Sequence, residues 1–190
     1  MTRVLEVGVI GLGNIGGHLA QNLVADGHRV TVFDLDTERV KAIDGAQPAS
    51  SVAQLAEAVS ITFTSLPDPS TVVAVASEWA TTAPKGSILC DLSTTLPASN
   101  QAVARQLATS GHVFIEAPLT GGAIGAKNRA LVFLGGGPDD AFATVQPLLE
   151  KLGRATFHLG PVGAGTTMKL ANSLRAFSGA IAAFEALAMT

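Results

Sequence analysis

The sequence predicts an α/β fold in which helices cover both faces of a doubly wound parallel sheet. Short β-rich apolar runs alternate with helical patterns of about 10 to 13 residues, which is the rhythm of βαβ units. A glycine-rich turn follows the first such run, at residues 11–16. Apolar residues make up 47% of the 190 residues and charged residues 14%, which supplies enough material for a buried core.

Strands and helices alternate through the first half of the chain. Asp26-Gly27 is a helix-ending signal after the first helix, and Ser50 or Ser51 is a candidate cap for the third helix. We predict strands over residues 7–10, 29–33 and 60–65, and helices over residues 18–25, 37–43, 52–58 and 70–80.

The second half continues this alternation and then changes in texture. We predict strands over residues 87–91, 112–117, 130–135 and 155–159, and helices over residues 98–110 and 139–151. From 165 to 190 the chain contains no proline and is rich in Ala, Leu and Phe, which predicts one long helix. That helix is apolar over much of its circumference and has no C-cap signal, so we expect another surface to bury it.

Composition and charge exclude several classes of protein. The net charge is −3 and no basic block is present to neutralise phosphates, so nucleic-acid binding is not expected. Cys90 is the only cysteine and lies in a strand pattern, which predicts a core residue. The four histidines lack metal-ligand spacing and Asp139-Asp140 is interpreted as a helix start, so no metal is expected. No apolar run reaches about 18 residues and no leader is evident, so we expect a cytoplasmic protein without a membrane span.

The turn at residues 11–16 reads GLGNIG, and an apolar strand before it and a helix after it strengthen that pattern. Gly11 permits the tight turn, Gly13 lets the backbone approach a pyrophosphate, and Gly16 allows close helix packing. The helix N-terminus favours the negative phosphates. The plainer alternative is a tight βα turn without a ligand. We predict a Rossmann-type dinucleotide site that comprises Gly11, Leu12, Gly13, Asn14, Ile15 and Gly16.

An acidic residue completes the predicted cofactor site. Asp34 ends the second strand, eighteen residues after Gly16. A carboxylate there accepts hydrogen bonds from the adenosine ribose and repels a 2′-phosphate, so NAD is favoured while NADP stays possible. Arg39 is interpreted as a solvated helix position.

A family resemblance rests on four ordered segments: GVIGLGNIGGHLAQNL at 8–23, DLSTTLP at 91–97, EAPLTGGAIGAKNRAL at 116–131 and GPVGAGTTMKLANSL at 160–174. On these segments the chain resembles the β-hydroxyacid dehydrogenases, which include 3-hydroxyisobutyrate dehydrogenase, tartronate semialdehyde reductase and, more distantly, 6-phosphogluconate dehydrogenase. The resemblance implies NAD(P)-dependent hydride transfer with a small β-hydroxy acid, of the 3-hydroxyisobutyrate or 2-hydroxy-3-oxopropionate type.

The resemblance also implies roles for particular residues. Lys169 would be the catalytic lysine. Asn172 would orient the substrate hydroxyl, although the family often has its asparagine at the place of Ser173. The substrate-binding residues would be Thr120, Gly121 and Gly122, and the further cofactor contacts would be Leu66, Pro67, Ser93 and Thr94.

From the residues alone, these segments allow plainer interpretations. Residues 120–122 would be an ordinary glycine turn before the next strand, and Lys127 and Arg129 would belong to a solvated loop. Lys169 would be a surface lysine. If apolar neighbours desolvated it, however, its pKa would fall and it could exchange a proton near neutrality.

Three functional hypotheses follow from this division of the chain. Residues 1–163 form a dinucleotide-binding domain, and residues 164–190 form an interdomain helix that begins a helical domain, absent or supplied by a partner. The leading hypothesis is a β-hydroxyacid dehydrogenase that forms a homodimer or higher oligomer. The second is a cofactor-binding module without turnover of its own. The third, an imine reductase, ranks lower because those enzymes usually lack a lysine at position 169.

Overall fold

The main sheet of the computed structural model, which describes residues 4–189, consists of six parallel strands. They are β1 (Glu6–Ile10), β2 (Arg29–Phe33), β3 (Gln47–Pro48), β4 (Ile61–Thr64), β5 (Ile88–Asp91) and β6 (Val113–Glu116). Their order is β3-β2-β1-β4-β5-β6. The winding reverses between β1 and β4, which creates a crevice at the carboxyl ends of these two strands. This arrangement is a Rossmann fold, as the sequence predicts.

Five helices connect these strands and cover both faces of the sheet. They are α1 (Gly16–Ala25), α2 (Thr37–Lys41), α3 (Val52–Ala58), α4 (Pro69–Trp79) and α5 (Pro97–Thr109). Ser51 is the residue that caps α3, because its Oγ accepts a hydrogen bond from the Gln54 N–H at 3.1 Å. Asp68 caps α4, and hydrogen bonds from Ser70 and Thr71 lower the pKa of Asp68 to about 2.

A second, three-stranded sheet follows the first. The sequence predicts two of its strands, at 130–135 and 155–159, but neither its first strand nor its separation from the main sheet. It contains β7 (Leu119–Thr120), β8 (Leu131–Gly135) and β9 (Gly153–His158), with α6 (Gly122–Lys127) and α7 (Asp139–Leu152) between its strands. The strand β7 pairs antiparallel with β8, whereas β9 pairs parallel with it. Asp139 and Asp140 lie in the first turn of α7, which confirms that this pair is a helix start.

Two clusters of buried apolar side chains form the core. One cluster joins the sheets to α1 and α7, and the other joins the main sheet to α3, α4 and α5. Their fully buried members include Leu19, Phe63, Phe142, Leu55, Trp79 and Leu107. Cys90 is also fully buried, which confirms its prediction as a core residue. Each large side chain buried in this way stabilises the fold by about 1.5–3 kcal/mol.

The last element is α8 (Ala164–Ala188), a helix of 25 residues. Only Gly165 and Thr166 of this helix are buried. Beyond Lys169 it presents an exposed apolar stripe, consisting of Leu174, Phe177, Ile181, Phe184 and Leu187. The predicted long helix is therefore confirmed over the described residues. None of the helices within residues 4–189 has the length and apolar character needed to span a membrane.

Candidate cofactor and substrate site

The glycine turn lies between β1 and α1, at the crevice of the main sheet. Gly11 has a φ of +86°, and a Cβ added to it would lie 2.3 Å from the Ser65 carbonyl oxygen. A Cβ on Gly16 would lie 1.9 Å from the carbonyl oxygen of Gly11. Both distances are far below van der Waals contact, so a side chain at either position would displace backbone. Glycine is therefore required at both positions.

The third glycine of the turn has open surroundings. The nearest neighbour to a Cβ added at Gly13 is a guanidinium nitrogen of Arg39, 3.8 Å away. Asn14 is exposed, whereas Leu12 is buried and Ile15 packs against the core. The helix α1 begins at Gly16 and has no side-chain cap. An anion could therefore approach the backbone of the turn at the positive end of the helix dipole, and these residues fit a pyrophosphate.

Asp34 lies directly after β2, beside the glycine turn. Its Oδ2 accepts a hydrogen bond from the Leu12 N–H at 2.6 Å, and its Oδ1 accepts one from the Asp36 N–H at 2.8 Å. These two bonds fix the carboxylate against the turn. The arrangement fits the ribose-binding position that the sequence predicts.

Arg39 is an exposed residue of α2, as the sequence analysis expects, and it also contacts two carboxylates. About half of its side chain is exposed, but its guanidinium lies 3.8 Å from Asp34 Oδ2 and 3.3 Å from Asp36 Oδ2. It also forms one wall of a cleft of about 240 Å³ that includes Leu12, Gly13 and Asn14. The pair with Asp36 follows the i,i+3 spacing of a helix, whereas the approach to Asp34 depends on how α2 packs beside β2.

One hydroxyl group joins the two further loops that the sequence predicts to contact the cofactor, at residues 66–67 and 93–94. The Oγ of Ser93 accepts a hydrogen bond from the Leu66 N–H at 2.9 Å and donates one to Asp91 Oδ1 at 2.6 Å. Ser93 is buried, whereas Thr94 and Pro67 are exposed. Within the described chain, the Ser93 hydroxyl thus fixes the loop geometry, and Thr94 and Pro67 present the accessible surface.

Asp91 is a buried site residue that the sequence analysis missed. Thr64 Oγ1 donates a hydrogen bond to its Oδ1 at 2.7 Å, while its Oδ2 has no hydrogen-bond partner within residues 4–189. Burial raises the pKa of Asp91 above its ordinary value, and the neighbouring charge of Glu116 raises it further. Asp91 begins the DLSTTLP segment, but its position at the end of a buried strand did not indicate that its carboxylate would hold the Ser93 and Thr64 hydroxyl groups.

Residues 120–122 lie at a junction between a strand and a helix. Thr120 ends β7, and Gly121 and Gly122 have φ values of +122° and +62°. The expectation of an ordinary turn before the next strand is wrong, because α6 begins at Gly122 and intervenes. Gly121 and Gly122 are exposed, so their backbone is accessible to a ligand.

Arg129 is partly buried and ion-paired, so the expectation that it lies in a solvated loop is wrong. Its guanidinium forms an ion pair with Asp26 at 2.8 Å and donates to the carbonyl oxygens of Asn22 and Lys151, both at 3.1 Å. Arg129 therefore holds the chain after α6 against the end of α1. Lys127, by contrast, is exposed.

Lys169 lies on α8, one turn after the buried Thr166. It is partly buried, and desolvation lowers the pKa of its ammonium group below the ordinary value. Asn172 and Ser173 are also partly buried. The structure thus brings the predicted catalytic residues onto one helix, with either Asn172 or Ser173 able to act as the hydrogen-bonding partner of a substrate.

The fold, the glycine turn and Asp34 together define a dinucleotide-binding Rossmann domain. The family model for the NAD binding domain of 6-phosphogluconate dehydrogenase matches residues 6–160, and the chain belongs to this family.

Individual relatives agree with this assignment. The chain is 36% identical over 182 residues to 3-hydroxyisobutyrate dehydrogenase of Pseudomonas aeruginosa, covering 89% of this chain and 58% of that protein. A solved 3-hydroxyisobutyrate dehydrogenase of Mycobacterium tuberculosis with L-serine matches with a TM-score of 0.90 at 26% identity, covering 99% of this chain and 67% of that one. A Streptomyces aurantiacus imine reductase, at 23% identity and a TM-score of 0.88, covers 95% of this chain and 65% of that one and shares the fold alone. The chain spans little more than half the length of its curated relatives, 53% to 60% for three of them.

Proposed function

We propose that this chain is an NAD-dependent β-hydroxyacid dehydrogenase that binds its cofactor at the Rossmann domain. The observation that carries the proposal is the open glycine turn with the Asp34 carboxylate fixed beside it. When bound, the nicotinamide cofactor would accept or return a hydride at the carbinol carbon of the substrate. The substrate class is a small β-hydroxy acid of the 3-hydroxyisobutyrate or 2-hydroxy-3-oxopropionate type. The presence of L-serine, also a β-hydroxy acid, with the Mycobacterium relative supports this class.

Lys169 is the proposed acid–base residue. In the oxidation it would accept the substrate hydroxyl proton, and in the reduction it would return that proton. Its partial burial supports this role, because a lowered pKa leaves more of the amine neutral near pH 7. Asn172 would orient the hydroxyl group, with Ser173 as the alternative.

The substrate carboxylate would bind at Thr120, Gly121 and Gly122. The two glycines expose their backbone at the junction of β7 and α6, and Thr120 supplies a hydroxyl group. This assignment is supported by the family motif.

NAD is the proposed cofactor in preference to NADP. The Asp34 carboxylate is fixed beside the glycine turn by two backbone N–H groups, where it would accept from the ribose and repel a 2′-phosphate. Arg39 is a nearby cation that would favour NADP, and its ion pairs with Asp34 and Asp36 offset that charge.

A second candidate function is a cofactor-binding module without turnover of its own. A cleft of about 510 Å³ lies between α5 and α8, and Met168 lines it whereas Lys169 does not. The side chains of Leu174, Phe177, Ile181 and Phe184 in the stripe of α8 are also mostly exposed. Under this candidate, residues 1–163 are the binding domain, and residues 164–190 join a helical domain that completes the site.

An assembly of two or more copies is the proposed oligomeric state. The stripe from Leu174 to Leu187 presents large apolar side chains on one long helix, and such surfaces mark protein interfaces. Light scattering across a concentration series tests this.

The expected cytoplasmic location stays a prediction, which fractionation of the source cells would test. An imine reductase is disfavoured because position 169 is a lysine.

Two experiments separate these candidates. Titration with NADH and with NADPH, followed by cofactor fluorescence, measures binding. A panel of β-hydroxy acids then measures turnover, first with this chain and then with the chain joined to the helical domain of a relative. Turnover with this chain by itself supports the dehydrogenase, and turnover only in the joined form supports the module. If neither cofactor bound at millimolar concentration, the proposal would be contradicted.

A further inference from the structure

Glu116 is a carboxylate at the end of β6 whose side chain is completely buried. Its Oε1 accepts hydrogen bonds from the N–H groups of Gly163 at 2.8 Å and Thr166 at 3.1 Å. Its Oε2 accepts from Thr166 Oγ1 at 2.9 Å and from Asn100 Nδ2 at 2.6 Å. A carboxylate with this many donors is stable in the interior because each oxygen atom is fully hydrogen-bonded.

Three of these four hydrogen bonds come from the beginning of α8. Gly163 is the N-cap residue of that helix and has a φ of +106°, and it cannot supply a side-chain cap of its own. Glu116 takes that role from another element, because its carboxylate accepts from N–H groups that have no partner within the helix, at the positive end of the helix dipole. The fourth bond, from Asn100, connects the same carboxylate to α5.

The rest of α8 has little attachment within the described chain. Gly165 packs directly on β8, where an added Cβ would lie 2.1 Å from the Leu134 carbonyl oxygen, and Thr166 is fully buried. No later residue of the helix up to Ala188 is buried. The direction of α8, and so the place of the side chains beyond its first turn, depends mainly on this attachment and on the contact of α8 with α5.

We infer that Glu116 is a positioning residue: by fixing the first turn of α8 it sets where Lys169 lies relative to the carboxyl edge of the main sheet. Lys169 follows Thr166 by three residues, so one helical turn separates the anchor from the proposed acid–base group. The functional part of this inference rests on the proposed role of Lys169. Asn100 and Thr166 complete the anchor, since Asn100 Nδ2 also donates to Thr166 Oγ1 at 2.9 Å.

The test uses the thiol of Lys169→Cys as a reporter of the place of residue 169. The chain has one native cysteine, Cys90, which is buried in the core and reports global unfolding in the same reaction. The rate of alkylation by iodoacetamide at each site is followed by mass spectrometry. Lys127→Cys on α6, which donates no hydrogen bond to Glu116 within residues 4–189, is the matched control.

Glu116→Gln should increase the alkylation rate at position 169 about tenfold, the factor expected for loss of one charge-assisted hydrogen bond. Adding Asn100→Asp should reverse this, because the amide and the carboxylate then exchange places and the Thr166 hydroxyl can rotate to serve both. The double variant should restore the rate at position 169 to within about twofold of the parent. The rates at Cys90 and position 127 should stay constant.

Two results would overturn the inference. One is an unchanged rate at position 169 in Glu116→Gln, and the other is an increase that Cys90 shares or that Asn100→Asp fails to reverse. If Glu116→Gln does not fold, Thr166→Val removes two hydrogen bonds of the anchor without changing charge. It should likewise increase the alkylation rate at position 169 and leave the rates at Cys90 and position 127 constant. Because alkylation needs neither cofactor nor substrate, its outcome is independent of whether the proposed enzymatic function holds.

Discussion

The glycine turn and the helix α8 differ in how much of the described chain surrounds them. The turn lies among buried strands, and two of its three glycines lie so close to backbone that no side chain fits. The helix α8 is attached through its first turn and then extends with an exposed apolar stripe. The predicted phosphate-binding turn is therefore fixed by packed elements, whereas the part that carries Lys169 is positioned from one end. Binding and catalysis should accordingly respond differently to substitution.

The largest expected effect is on turnover. Lys169→Ala should lower kcat by about 10²–10⁴-fold, because it removes the proposed acid–base group. The affinity for NADH should change little, since Lys169 is not part of the glycine turn. Steady-state kinetics and NADH titration measure both quantities, in whichever form of the protein turns over. Lys85→Ala, at an exposed turn residue, is the control. Near-normal turnover without Lys169 would show that the acid–base assignment is wrong.

The next effect separates two glycines of one turn. Gly16→Ala should destabilise the fold by about 1–3 kcal/mol and abolish NADH binding, because its Cβ would meet the Gly11 carbonyl oxygen at 1.9 Å. Gly13→Ala should change the free energy of unfolding by less than about 0.5 kcal/mol, since its surroundings are open. It should still weaken NADH binding. Urea unfolding and NADH titration give both values, and equal stability losses would mean that the turn is packed differently.

A smaller effect is expected on cofactor choice. Asp34→Asn removes the negative charge at the ribose position but keeps an oxygen that can accept the Leu12 N–H. The ratio of NADPH affinity to NADH affinity should rise about tenfold. Asp36→Asn, a change of the same charge at a more exposed position, should shift this ratio much less. An unchanged ratio for Asp34→Asn would remove the basis for preferring NAD.

The smallest effect concerns pH and the buried Asp91. Its pKa is raised in the folded state, so the folded protein binds this proton more tightly than the unfolded chain does. Stability should therefore fall as pH rises from the ordinary carboxyl range through the raised pKa. Asp91→Asn keeps an acceptor oxygen and should raise the Tm at pH 8, with little difference from the parent near pH 4. A Tm difference that does not depend on pH would contradict the burial of an ionisable proton at this residue.

Most of the main sheet and of the cofactor site could be predicted from the sequence, because both depend on local patterns. The run before Gly11, the turn itself and Asp34 lie within one βαβ unit, where spacing fixes geometry. The helix α6 was missed because two of its six residues are glycines, which disfavour helices. A hydrogen bond from Asn22 Nδ2 to the Ala126 carbonyl oxygen holds it instead.

Other features depend on contacts between residues far apart in the chain. Arg129 resembled a solvated loop residue because its partner Asp26 lies 103 residues away. The sequence did not indicate that Glu116 anchors α8, because the hydrogen-bond donors to Glu116 come from α5 and from the beginning of α8, up to 50 residues later. Such networks form only after the elements have packed, so neither periodicity nor local spacing reports them.

The measurement that tests the central claim most directly is a ¹⁵N NMR titration of this chain with NADH. The amide signals of Gly13, Asn14 and Ile15 should shift with one saturable binding curve, while those of the exposed stripe of α8, at residues 174–187, should shift little. If NADH and NADPH up to millimolar concentration left the signals of residues 11–16 unmoved, the glycine turn would not be a cofactor site.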